Sequence, residues 1–128
     1  MLTREEIFAF ADSLTGATHD CPFEDDFDST VLRHSSTGKW FGLVFRIPLR
    51  AIGRKGEGTV DGINLKGTPE DNFIVREIFP DIQMAYHMNH YHWITIPLDA
   101  NVPKEVVFSL IEKSYRLTEK KPKKAKTK

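Results

Sequence analysis

The stretch from residue 86 to residue 96 joins a cluster of polar and aromatic side chains to a β-branched run: Tyr86-His87-Met88-Asn89-His90-Tyr91-His92-Trp93-Ile94-Thr95-Ile96. Its first half holds the histidines, and its second half has the composition of a β-strand. The stretch therefore predicts a turn at residues 88–91 and a strand at residues 92–98. The corner between them is a candidate functional site.

The flanking sequence predicts an α+β domain. Thr3 and Glu6 form a capping-box pattern before a first helix, and Thr68 with Pro69 predicts the start of a second helix that ends near Ile78. A third helix is expected after Pro103, and strands at residues 30–34, 39–47, 60–66 and 82–86. This order predicts a mainly antiparallel sheet of about five strands with helices packed on one face.

Two segments carry more specific expectations. In the strand at residues 39–47, Phe41 alternates in step with three other apolar residues, so all four are expected on one buried face: Phe41, Leu43, Phe45 and Ile47. Residues 17–29 are expected to be irregular, with a solvated acidic loop at residues 24–28. The loop lacks the ligand spacing of an EF-hand.

Composition limits the class of protein. A chain of 128 residues with 40% apolar side chains is long enough for one domain with its own core, expected at residues 1–118. Cys21 is the one cysteine, so neither a disulfide framework nor a cysteine metal site is available. No apolar run suggests a signal peptide or a membrane span, and a cytoplasmic protein is the expectation.

The zero net charge hides an asymmetry along the chain. Residues 119–128 hold six lysines and Glu119, a net charge of +5, whereas residues 1–118 hold 12 basic and 17 acidic side chains, a net charge of −5. The lysine-rich tail is expected to be disordered. Such a tail can contact phosphates through its charge alone.

Several motifs together resemble the MmcQ/YjbR family of small bacterial proteins. The motifs are residues 2–8, 31–34, 38–41, 64–66, 87–89, 92–95 and 114–115, and the match covers nearly all of residues 2–118. The run His-Met-Asn-x-x-His-Trp is its most specific part. The resemblance implies a CyaY-like α+β fold in which paired hairpins project as a double wing. It also implies a DNA-binding role, which is commonly assigned to the family by structural analogy. Position 90 departs from the family pattern, since it is His90 where Lys or Arg is usual.

Basic residues form the first candidate site, for nucleic acid. Four cations fall within one ten-residue segment that includes a glycine-rich loop, and the tail adds more: Arg46, Arg50, Arg54, Lys55, Lys120, Lys121, Lys123 and Lys124. They would contact phosphates electrostatically and with little sequence preference. The alternative is that the loop cations balance a neighbouring acidic cluster. The net negative charge of residues 1–118 opposes a large DNA footprint.

The corner supplies the second candidate, a small-molecule or protein-interaction pocket formed by His87, Asn89, His92 and Trp93. The histidine spacing would also suit a metal ion, but no carboxylate or cysteine lies near it in sequence, which favours histidines that hydrogen-bond the turn. No nucleophile elbow or phosphate-binding loop is present in the sequence. We therefore expect a protein that is not an enzyme and has no metal or cofactor.

Overall fold

The computed structural model describes residues 2–119, and the architecture below concerns those residues. Three α-helices and a short 3-10 helix are combined with six strands. In chain order these are α1 (Arg4–Asp12), β1 (Ala17–Asp20), β2 (Thr30–His34), β3 (Trp40–Pro48), the 3-10 helix (Leu49–Ile52), β4 (Thr59–Lys66), α2 (Pro69–Ile78), β5 (Gln83–Met84), β6 (Trp93–Pro97) and α3 (Lys104–Thr118). The strands form one antiparallel sheet in the order β1-β2-β3-β4-β6-β5. The predicted α+β class is confirmed.

The helix starts follow the capping signals of the sequence. The Glu6 amide donates to the Thr3 hydroxyl at 3.1 Å, and the Thr3 amide donates to the Glu6 carboxylate at 3.0 Å. Thr68 caps α2 through a bond from the Asp71 amide at 3.2 Å. These side chains satisfy amides that have no partner within the helix, so both helices begin where the sequence predicts.

The sheet buries apolar residues on both of its faces. One face packs against the helices, and its core includes Phe41, Val44 and Ile63 with Ile111 of α3. The opposite face, here called the helix-free face, carries a smaller cluster that the 3-10 helix and the flanking loops cover: Val31, Leu43, Phe45, Ile47 and Ile52, with Phe23, Trp40, Val60, Tyr86 and Met88 packed against it.

Phe41 lies on the face opposite to the one predicted for it. The pairing of β2 with β3 shifts between Leu32 and Arg33, which pair with Gly42 and Trp40 and leave Phe41 without a partner on β2. A bulge of this kind reverses the side-chain alternation along the strand. Phe41 therefore packs with the helices, while Leu43, Phe45 and Ile47 face the other way.

The prediction of irregular structure at residues 17–29 was wrong at its start. Residues Ala17–Asp20 form β1, an edge strand whose exposed side chains alternate with half-buried ones. β1 raises the sheet from about five strands to six. The predicted strand at residues 82–86 shortens to the two residues of β5. Across residues 2–119, none of the helices has the length and apolar character needed to cross a membrane.

Candidate functional site

A buried polar network fixes Tyr86 against the helix-free face. Asn64 of β4 and Thr95 of β6 are neighbours across the sheet and are fully buried. The Thr95 hydroxyl donates to the Asn64 side-chain oxygen and accepts from the Tyr86 amide at 2.9 Å. The Asn64 amide group donates to the Tyr86 carbonyl at 2.9 Å. Both backbone polar groups of Tyr86 are thus satisfied, and its position over the sheet is set.

A second set of hydrogen bonds closes the corner at residues 89–92. The Asn89 side-chain oxygen accepts from the amides of Tyr91 at 2.9 Å and His92 at 3.1 Å. Asn72 of α2 donates to the carbonyls of Tyr91 at 2.9 Å and Gly67 at 3.2 Å. A Cβ atom on Gly67 would lie 2.2 Å from the Asn72 oxygen, so only glycine fits beside this buried amide.

His87 lies between these two networks and has an unusual backbone. Its φ angle is 70°, the single positive value outside glycine within residues 2–119. Its ring is exposed and packs on Tyr86 with a centroid distance of 3.8 Å, with Phe45 at 6.4 Å. Strained backbone is often found at functional positions. Here it directs His87 toward a cleft on the helix-free face.

The cleft, here called the His87 cleft, has a volume of about 320 Å³. It opens beside β3 near the last β2–β3 pair, Thr30 with Val44, where the loop after β1 approaches instead of a strand. Aromatic and charged groups line it together: Phe23, Asp26, Asp28, Ser29, Leu43, Phe45, Arg46 and His87. An apolar wall with a few convergent polar groups is the composition of a small-molecule site.

The charged groups of the His87 cleft differ in how firmly they are held. Asp26 accepts from the amides of Asp28 and Ser29 and from the Ser29 hydroxyl. The bond from the Ser29 hydroxyl is the main reason that the pKa of Asp26 lies below its ordinary value. Arg46 and Asp28 approach to 3.4 Å, and each side chain is 58% exposed. This second pair is weakly held and accessible.

The structure divides the predicted pocket residues. His87 lines the cleft, but Asn89, His92 and Trp93 do not. Asn89 is used within the turn, His92 is exposed, and Trp93 is half-buried at the start of β6. Sequence reasoning missed Phe23, Asp28 and Ser29 as cleft residues, since the acidic loop was expected to be merely solvated. Residues 2–119 contain no group of three side chains placed to hold a metal ion.

The predicted nucleic-acid residues are divided as well. Arg46 pairs with Asp28, and Arg54 makes two bonds to Asp99, at 2.8 Å and 2.9 Å. The bonds from Arg54 hold the pKa of the Asp99 carboxyl below its ordinary value. Arg50 and Lys55 are exposed and have no ion pair within residues 2–119. The tail candidates lie outside the described residues: Lys120, Lys121, Lys123 and Lys124.

The chain is similar to several known proteins. It is 38% identical to the uncharacterised protein YyaQ of Bacillus subtilis over 118 residues, which cover 92% of this chain and 99% of YyaQ. It is 32% identical to the uncharacterised protein YjbR of Escherichia coli over 54 residues, which cover 42% of this chain and 46% of that protein.

Two solved structures share the fold. A crystal structure of a Pseudomonas syringae protein is 37% identical, covers 92% of this chain and 100% of its own, and superposes with a TM-score of 0.85. A Deinococcus radiodurans crystal structure is 28% identical, covers 94% of this chain and 81% of its own, and has a TM-score of 0.74. The YjbR family model matches residues 12–117. With this match and the likeness to YyaQ, the chain belongs to the YjbR family.

Proposed function

We propose that this protein is a binding module, not an enzyme, and that the His87 cleft takes a small zwitterion with an aromatic body. The observation that carries the proposal is the accessible Arg46–Asp28 pair, which lies against an aromatic wall. A ligand carboxylate would bind Arg46, and a ligand ammonium group would bind Asp28. The ligand ring would pack on Phe45 beside His87.

The energetics favour exchange of this pair with a ligand. An ion pair at 3.4 Å with both side chains 58% exposed contributes little to stability, so opening it costs little. Asp26 is held by three hydrogen bonds and therefore serves as a fixed wall of the cleft. Cys21 is the cysteine that an enzyme hypothesis would use as a nucleophile. Its exposed thiol lies 3.4 Å from the Thr30 hydroxyl, and a hydroxyl is not a base that could activate it.

Calorimetric titration with three matched probes tests this assignment: phenylalanine, phenethylamine and phenylpropionate. The zwitterion should bind at least about tenfold more tightly than either singly charged analogue, because it alone satisfies both charges. Arg46→Gln should abolish the difference between phenylalanine and phenethylamine, because the carboxylate of phenylalanine then has no cation to bind. Arg50→Gln, which removes a nearby cation outside the cleft, is the matched control and should preserve it. Equal affinities for all three probes would refute the assignment.

Nucleic-acid binding is a second candidate, favoured by the exposure of Arg50 and Lys55 without ion partners in residues 2–119. The lysines of residues 120–128 would supply most of the charge. The body opposes this role, since residues 2–119 hold 12 basic and 18 acidic side chains, a net charge of −6. We therefore propose weak, sequence-independent contacts with DNA.

Fluorescence anisotropy with a short duplex at several salt concentrations tests the second candidate. Deletion of residues 120–128 should flatten the log–log salt dependence by several units, at roughly 0.9 per phosphate contact. In the truncated protein, Arg50→Ala with Lys55→Ala should remove most of the remaining affinity. Arg54→Ala should change it little, because Asp99 already occupies that guanidinium. An intact protein that binds no DNA at low salt would exclude this role.

A further inference from the structure

Helix α2 is poorly packed for its composition. Among its ten residues only Asn72 is buried. Three large apolar side chains remain more than half exposed: Phe73 at 57%, Ile74 at 53% and Ile78 at 62%. A helix of this length is marginal alone and depends on the burial of an apolar face. Within residues 2–119, the apolar face of α2 is therefore left largely uncovered.

The exposed face borders an apolar groove between α2 and α3. The groove, here called the α2–α3 groove, has a volume of about 550 Å³ and a floor formed by the buried Leu65 and Ile94. Ile74 and Ile78 form one wall, and Leu117, which is 44% exposed, belongs to the other. Contiguous exposed apolar surface of this kind marks an interaction site.

The two walls of the groove differ in charge. The α2 wall carries Asp71, and the α3 wall carries Lys113 and Arg116, with Lys66 nearby. Arg116 is paired with Glu112 of the same helix at 2.7 Å, so Lys113 is the α3 cation left to a partner. Neither Asp71 nor Lys113 has an ion pair within residues 2–119. The helix α2 as a whole is acidic, with Glu70, Asp71 and Glu77 against Arg76. A matching partner is therefore a helix with an apolar stripe and acidic residues.

This chain itself contains such a helix. Three of the five groove-lining residues of α2 are spaced i, i+3, i+7 as acid, apolar and apolar: Asp71, Ile74 and Ile78. Three of the four groove-lining residues of α3 have the same spacing as apolar, base and apolar: Leu110, Lys113 and Leu117. Residues so spaced lie on one side of a helix. We propose that a second copy of this chain covers the α2–α3 groove in a twofold homodimer, with α2 of each copy packed against α3 of the other.

In a twofold dimer, α2 and α3 of both copies contribute to the same interface. Asp71 of α2 in one copy meets Lys113 of α3 in its partner, and the partner returns the same contact, as an isologous interface requires. Ile74 and Ile78 become the apolar centre of the interface, with the charges at its rim. The contact lies on the helix side of the sheet, so it leaves the His87 cleft open.

Sedimentation equilibrium from micromolar to millimolar concentration tests the dimer. The wild type should reach twice the monomer mass of 14.7 kDa. Ile78→Glu should remain monomeric, because it places a charge at the centre of the interface. Phe27→Glu is the matched control, since Phe27 is 81% exposed but lies in the loop after β1, and this variant should dimerise like wild type.

A second variant, which changes a surface charge, keeps the test valid if Ile78→Glu fails to fold. Lys113→Glu should weaken association at least about tenfold, whereas Lys113→Arg should leave it unchanged. A wild type that is monomeric at every concentration would overturn the proposal and leave the groove to a different partner. A dimer that survives both Ile78→Glu and Lys113→Glu would also overturn it, because the interface would then lie elsewhere.

Discussion

Asn89 shows what a single residue contributes to the corner. The sequence suggests that His87, Asn89 and His92 all hydrogen-bond the turn, but only the Asn89 side chain does so within residues 2–119. The side-chain oxygen of an asparagine reaches backbone amides two or three residues further along the chain directly. The direction of a histidine ring depends instead on the backbone. No sequence pattern reveals that His87 has a φ of 70°.

Asn89→Ala should lower the free energy of unfolding by about 1 kcal/mol, because two turn amides lose their acceptor. Urea denaturation measures the change. Asn101→Ala is a suitable control, since Asn101 is also exposed and only its backbone amide is bonded, to Asp81. Equal midpoints for Asn89→Ala and wild type would show that the two hydrogen bonds of Asn89 contribute nothing to stability.

His34 is expected to make stability depend on pH. It is 5% exposed, with Nε2 2.9 Å from the Thr118 hydroxyl, and burial lowers its pKa while the charge of Glu119 partly opposes the shift. The folded state therefore binds this proton less readily than the unfolded state, whose pKa is about 6.5. Stability should fall as the pH is lowered through about 6.5 toward the folded pKa.

Urea melts at about pH 7.5 and about pH 5.5 test this dependence. The wild type should lose more stability between the two conditions than His34→Gln, which cannot be protonated. Three carboxyls with lowered pKa values also make stability depend on pH, but at a more acidic pH, and both proteins contain them: Glu6, Asp26 and Asp99. The same loss in both proteins would show that His34 is not responsible.

At the scale of elements, helices could be predicted more closely than strand faces. The caps at Thr3 and Thr68 are local signals and fix the helix starts. The face of Phe41 depends instead on a bulge between β2 and β3, which is a property of two paired strands. β1 was missed for a related reason. Its four residues become a strand by pairing with β2, and their own sequence shows little strand preference.

Thr95 tests the network that holds β4, β6 and residue 86 together. Thr95→Val should lower the free energy of unfolding by about 1 to 3 kcal/mol, because the buried Asn64 oxygen and Tyr86 amide both lose a partner. Thr95→Ser keeps the hydroxyl and should cost less. The valine variant should also bind phenylalanine more weakly, since Tyr86 precedes His87. A valine variant with wild-type stability would contradict the role assigned to this network.

For the molecule as a whole, the fold follows from the sequence better than the site does. The predicted α+β class and antiparallel sheet are confirmed, and so is membership of the YjbR family. The His87 cleft, however, joins Asp28, Arg46 and His87, which are far apart in the chain. Only the folded sheet brings together the loop after β1, the part of β3 beyond its last pair with β2, and the corner at residues 86–92. The double wing and DNA binding implied by the resemblance remain predictions.

The central claim is that the His87 cleft binds a small aromatic zwitterion. Nuclear Overhauser effects between bound phenylalanine and the protein test it most directly, because they identify the residues in contact with the probe. We predict contacts from the ring protons of the probe to Phe23, Phe45 and His87. Contacts with Ile74, Ile78 and Leu117 would place the probe in the α2–α3 groove instead. That result, or the absence of contacts at saturating probe, would contradict the claim.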